Sequence, residues 1–154
     1  KLCFLKGLHT DGEAHGQAVL RLHTGEANFV RPSMGSWVSY GLGTLNENLP
    51  GFVCLDYPAM HGGERNFSNG FLPAAHQGTP VKLATAPGKV PQVRHLENDR
   101  LTAARQKEQV DVIRDLGRAH LDAGGPDPQV EGVIGSFELA YRMQTVAPAV
   151  LDLS

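Results

Sequence analysis

The sequence Gly-Gly-Pro-Asp-Pro, at residues 124–128, interrupts the C-terminal third of the chain. Two glycines end a helix, whereas a capping Asp127 followed by proline at the first helical position begins one. A helix is expected from about residue 98 to 122, with a charged outer face. A second apolar stripe follows the break, and Pro148 is expected to end it. The sequence therefore predicts a helical hairpin over residues 98–145.

The N-terminal third alternates strand-like and helix-like segments. Residues 2–8 form a short apolar run, and residues 12–23 carry apolar side chains at helical spacing. A second short helix is expected over residues 34–42, capped by Ser33. Residues 51–57 are rich in β-branched and aromatic side chains and predict a second strand. This order of elements, with short connections, predicts an α/β layer structure.

Residues 58–97 differ in character, because glycine, proline, asparagine and serine dominate them. A loop of this length inside a compact domain is unusual and is often functional. Phe67, Phe71 and Leu72 offer apolar anchors, so we expect the segment to pack against the rest of the chain.

Composition excludes several classes of protein. The 154 residues carry a formal net charge of −2 and no block of lysine or arginine, which argues against nucleic-acid binding. No apolar run approaches the roughly 18 residues that a membrane span needs. Cys3 and Cys54 lie in apolar runs without zinc-type spacing and are expected to be buried thiols. Lys1 opens the chain inside a strand-like run, which predicts an internal piece of a longer protein.

The stretch from His9 to His15 lies where the first predicted strand gives way to a helix. The carboxyl ends of strands are where ligands gather in open α/β sheets. A metal or phosphate site would explain the pattern. Ordinary surface polarity would also explain it, with Thr10 or Asp11 capping the helix and Gly25 ending it.

Four separated segments resemble one known family. They are "HTDGEAHGQAVLRLHTG", "RPSMGSWVSYGLGTLNENLPGFV", "GFLPAAHQGTPV" and "FELAYRMQTVAPAVLDLS", and together they span nearly the whole chain in order. The chain is similar to bacterial, planctomycete-type, sulfatase-like proteins of unknown function in the alkaline-phosphatase superfamily.

The resemblance implies an α/β fold that is part of an alkaline-phosphatase-like sandwich, with a mostly parallel sheet, flanking helices and a C-terminal helical hairpin. Residues 1–154 would be an internal fragment of one sulfatase-like domain. It would comprise a strand–helix–helix–strand unit (1–57), a long loop (58–97) and the hairpin (98–145). Twin-arginine export of relatives implies a periplasmic or envelope location.

The resemblance also implies a divalent metal, either zinc or a calcium- or magnesium-like ion. His9, Asp11 and His15 are the expected metal ligands, because imidazole and carboxylate suit such ions. Thr10 and Asp11 are the expected catalytic residues. The substrate-binding candidates lie in the long loop, where a solvated loop is an equally good explanation: Arg65, Asn66, His76 and Gln77.

The implied activity is hydrolysis of phosphate or sulfate esters of small molecules or polysaccharides. One departure matters, because the C/S-x-P/A-x-R pattern of formylglycine sulfatases does not occur at either cysteine. The alternative is a non-catalytic envelope protein that uses the same fold to bind a glycan or a protein partner.

Overall fold

The computed structural model describes residues 3–57, 59–83, 91–93, 96, 98 and 100–151. The fold is mixed α/β. Its helices are α1 (His15–Thr24), α2 (Met34–Leu42), α3 (Ala103–Gly124) and α4 (Pro128–Leu151), and its strands are β1 (Val53–Leu55), β2 (Thr79–Lys82) and β3 (Gln92–Val93). Two 3₁₀ turns, Gly63–Phe67 and Ala74–His76, lie between β1 and β2.

The sheet is small and mixed, with strand order β1-β2-β3. Strand β1 pairs with β2 in parallel, with Val53 opposite Thr79, and β2 pairs with β3 antiparallel, with Val81 opposite Val93. The expected mostly parallel sheet is therefore wrong in the described chain, because β3 returns antiparallel after a connection too short for a helical crossover.

The expected strand at residues 2–8 is also wrong. Residues 3–14 form neither helix nor strand, and residue 2 lies outside the described residues. Phe4, Leu5 and Leu8 are each at least 75% exposed, and Gly7 has a φ of +80°. An apolar run becomes a strand only where a neighbouring strand can pair with its backbone, and no described strand does so here.

Helix α2 is anchored at its first turn by buried hydroxyls. Ser33 caps the helix, since its side chain accepts a hydrogen bond from the Ser36 backbone N–H at 3.3 Å. The Ser36 hydroxyl and the Ser33 backbone N–H both donate to the carbonyl oxygen of Ser68, each at 2.9 Å. The segment that follows the first 3₁₀ turn therefore fixes where α2 begins.

The predicted helical hairpin is confirmed. Gly117 on α3 lies so close to α4 that a Cβ there would be 2.5 Å from Cδ1 of Ile134. The side chain of Asp127 caps α4 by accepting from the backbone N–H of Gln129 at 2.8 Å. The expected end at Pro148 is wrong, because α4 continues to Leu151. A proline within a helix removes one backbone hydrogen bond, so its presence in the last turn of α4 affects only the end of the helix.

The buried apolar side chains lie mainly where the long loop meets the helices and the sheet: Leu20, Ala27, Phe67, Leu72 and Val81. The anchoring predicted for Phe67 and Leu72 is thus confirmed, whereas Phe71 is 55% exposed. The loop itself is more structured than predicted, because it holds two 3₁₀ turns and the strands β2 and β3. Among the described residues, no helix has both the length and the apolar character to cross a membrane.

Candidate functional site

Helix α1 begins at His15, three residues later than predicted. Its N-cap is Ala14, in an extended conformation, and no described side chain caps this end. The predicted cap at Thr10 or Asp11 is therefore wrong. Gly25, with a φ of +74°, ends the helix as predicted. The first backbone N–H groups of α1 are left without a side-chain acceptor, and such groups attract anions.

Thr10 and Asp11 are held by the side of α1 instead of its end. Arg21 donates from Nη1 to the Thr10 hydroxyl oxygen at 3.0 Å and lies 3.4 Å from Oδ2 of Asp11. The Asp11 side chain is 93% exposed, so this ion pair adds little stability. Its effect is geometric, because it ties the segment before the helix to the helix surface.

His61, from the long loop, lies next to His15. The two imidazole ring centroids are 5.7 Å apart, and the ring planes are inclined by 49°. The two histidines are 46 positions apart in the sequence, and no pattern in either segment pointed to the other. This pair is the feature of the candidate site that the sequence did not predict.

Two neighbours of His61 explain its position. Asn66, which is 5% exposed, donates from Nδ2 to the His61 carbonyl oxygen at 2.8 Å and to that of Gly63 at 3.1 Å. Gly62 packs against Leu20 of α1, where a Cβ would be 2.6 Å from Cγ of Leu20. The first 3₁₀ turn is thereby pressed onto α1. Asn66, which the sequence analysis names as a substrate-binding candidate, braces this turn through its Nδ2.

The predicted ligands His9, Asp11 and His15 do not come together as a set of three. Within the described ranges, no three His, Cys, Asp or Glu side chains form a group that could hold a metal ion. His9 lies in the exposed segment before α1. The His15–His61 pair fits a zinc-like ion by donor type, because imidazole is a preferred ligand of such ions. A four-coordinate site would need two further ligands.

Arg65 and Gln77 share one cavity of about 490 Å³, which Phe67 and Pro80 also line. Arg65 donates from Nη2 to the Ala27 carbonyl oxygen at 3.1 Å, while its buried Nε has no hydrogen-bond partner among the described residues. Gln77 donates to the Phe67 carbonyl oxygen at 3.1 Å. Both side chains therefore brace the loop and still border a space that could admit a ligand.

His76 faces a different region. Its Nδ1 lies 3.1 Å from the hydroxyl oxygen of Ser39, which is buried on α2. The ring also meets Tyr40 edge to face, with centroids 5.3 Å apart. Burial lowers the pKa of His76 below its ordinary value, because the charged imidazolium is less well solvated there. The four predicted substrate-binding residues thus divide between three places.

Comparison with known proteins gives a family but no characterised relative. Neither the curated proteins nor the solved structures gave a match to this chain. A family model described as "Protein of unknown function (DUF1501)" matches residues 1–154, and the chain therefore belongs to that family.

Proposed function

We propose that the chain is part of a metal-dependent hydrolase of phosphate or sulfate esters, built on a sulfatase-like fold of the alkaline-phosphatase superfamily. The observation that carries this proposal is the pairing of His15 with His61 at the uncapped start of α1. A periplasmic or envelope location belongs to the same proposal and follows from the resemblance of the four segments.

The start of α1 offers features that suit an anionic ester. Backbone N–H groups without a side-chain cap donate hydrogen bonds, and the helix dipole adds partial positive charge. Paired imidazoles would hold a zinc-like ion, whose chemistry is Lewis-acid polarisation of a bound ester. The ester oxygens and both imidazoles would then share one end of the helix.

Arg21 orders the chain beside that end. Because its guanidinium donates to the Thr10 oxygen, the Thr10 hydroxyl proton remains available for a hydrogen bond to an ester oxygen. Asp11 pairs with the same arginine through Oδ2, and its second carboxylate oxygen can accept a proton or a hydrogen bond from the substrate. In this proposal Thr10 therefore orients the substrate and Asp11 accepts a proton. Asp11 does not cap α1, whose N-cap is Ala14.

The test measures zinc binding by isothermal titration and hydrolysis of p-nitrophenyl phosphate and p-nitrophenyl sulfate. The full chain is compared with the variants His15→Ala and His61→Ala, and with His120→Ala as a control on the exposed face of α3. Loss of a ligand should weaken zinc binding by at least about tenfold and reduce hydrolysis in parallel. Unchanged zinc affinity in both site variants would overturn the proposal.

An exposed aromatic surface favours the second candidate, a non-catalytic glycan-binding protein of the cell envelope. Trp37 lies edge to face with Phe71 at 5.7 Å and with Tyr40 at 6.2 Å between ring centroids. All three rings are 47–55% exposed, and exposed aromatic patches mark interaction sites. Quenching of Trp37 fluorescence by a polysaccharide, in a protein that binds no zinc and hydrolyses neither ester, would favour this role.

A further inference from the structure

Helix α4 carries an arginine, Arg142, with an unsatisfied hydrogen-bond donor in the described part of the chain. The Nε atom of Arg142 is buried and has no hydrogen-bond partner among the described residues. Arg142 lines a cavity of about 340 Å³ between α2, the second 3₁₀ turn and α4, which Ser39 and His76 also line. A buried donor on a charged group is strongly unfavourable unless a partner satisfies it.

The polar groups of this cavity are arranged for an acceptor. Ser39 and His76 are joined by their 3.1 Å hydrogen bond, so one of them retains a polar atom for a ligand, whichever tautomer His76 adopts. Glu47 is the acidic side chain of the wall, and it is exposed. It forms no ion pair with Arg142 in the described chain. A planar guanidinium binds carboxylates in a bidentate manner.

An apolar trough of about 380 Å³ adjoins this cavity and shares Asn46 and Leu49 with it. Its walls come from the sheet, through Val53, Leu55 and Val81, and from α4 through Met143. Val53 is 44% exposed and Leu55 is 58% exposed, so apolar surface is open to a ligand. Met143, which lines the trough, directly follows Arg142, which lines the polar cavity, so α4 places the two cavities side by side.

We propose that this composite site binds an amphiphilic carboxylate, a ligand of the fatty-acid type. The carboxylate would pair with Arg142 next to Ser39 and His76, and the hydrocarbon tail would lie in the trough over β1 and β2. Each cavity alone falls within the roughly 300–1,000 Å³ range of small-molecule sites. The site contains neither His15 nor His61, so it stands apart from the proposed ester hydrolysis.

The test is isothermal titration of the full chain with decanoate, decanol and acetate. Decanoate should bind more tightly than either partial ligand, because only decanoate uses both the charge and the trough. Decanol bound as tightly as decanoate would overturn the carboxylate contact, and acetate bound as tightly would overturn the tail contact. Decyl sulfate bound more tightly than decanoate would refute the carboxylate as the head group. No decanoate binding would refute the site.

Variants test the Arg142 contact and the apolar trough separately. Arg142→Gln should weaken decanoate binding about tenfold or more and leave decanol binding unchanged, because a charge-assisted hydrogen bond is lost. Leu55→Gln should weaken both ligands. Arg118→Gln and Leu116→Gln, at exposed positions of α3, are the matched controls and should bind as the unaltered chain does. Equal decanoate affinity in Arg142→Gln and Arg118→Gln would overturn the proposal.

Discussion

Replacing Gly62 by alanine tests whether the first 3₁₀ turn is pressed onto α1. Gly62 has a φ of +91°, and a Cβ there would be 2.6 Å from Cγ of Leu20 and 3.0 Å from Nδ2 of Asn66. The left-handed backbone costs a residue with a side chain about 1 kcal/mol. Overpacking against Leu20 adds about 2 kcal/mol, since its Cγ cannot move without shifting the whole side chain. The expected loss of unfolding free energy is therefore about 3 kcal/mol.

The neighbouring glycine supplies the control. Gly63 has a φ of +53°, and a Cβ there would meet nothing within 4 Å. Gly63→Ala should therefore show only the backbone cost, about 1 kcal/mol. For a chain of this length 1 kcal/mol corresponds to about 2–4 °C, so the midpoints should fall by about 2–4 °C for Gly63→Ala and 6–12 °C for Gly62→Ala.

Thermal unfolding followed by circular dichroism measures both midpoints, and urea unfolding gives the free energies. If Gly62→Ala also displaces His61, its zinc affinity should fall while that of Gly63→Ala is retained. Equal loss of stability in the two variants would refute the reasoning, because it would mean that Leu20 does not lie against Gly62.

Three further outcomes are expected. Gly132→Ala should lower the free energy of unfolding, because its Cβ would be 2.6 Å from Cβ of Pro73. The Cβ of Gly135→Ala would meet nothing within 4 Å, so this variant should raise the free energy of unfolding by up to about 1 kcal/mol through helix propensity. Urea unfolding measures the sign of each change. Ser33→Ala should lose about 1–2 kcal/mol by the same assay, since the cap of α2 is removed. Burial lowers the folded-state pKa of His76. As the pH falls below the ordinary histidine pKa, the unfolded chain therefore protonates this imidazole more readily than the folded chain does, and the free energy of unfolding decreases. The urea midpoints at about pH 8 and pH 5 should differ more in the unaltered chain than in His76→Asn.

Elements specified by local chemistry were predictable from the sequence. Ser33 caps α2, Gly25 ends α1 and Asp127 with its proline begins α4, each as the sequence indicated. In each case the signal and the structure lie within four residues of each other. A cap satisfies backbone groups of its own helix, so no distant partner needs to be known.

Elements that depend on a distant partner were predicted less well. Residues 2–8 have strand composition, yet residues 3–8 have no strand beside them in the described chain. Residues 58–97 lack periodicity, yet Thr79–Lys82 pairs in parallel with β1 across an intervening loop. Strand formation is decided by cross-strand neighbours, and a single sequence does not display which segments become neighbours.

The candidate site shows the same limit at the level of chemistry. His15 could be selected from its place near the start of a predicted helix together with the family resemblance, and neither required knowledge of a distant partner. His61 could not, because its proximity to His15 is produced by the packing of Gly62 on Leu20 and by the two hydrogen bonds of Asn66. The sequence does not distinguish a glycine that packs against a leucine, such as Gly62, from a glycine in an open turn, such as Gly63. The side chains that assemble this site therefore became recognisable only once α1 and the first 3₁₀ turn were placed together.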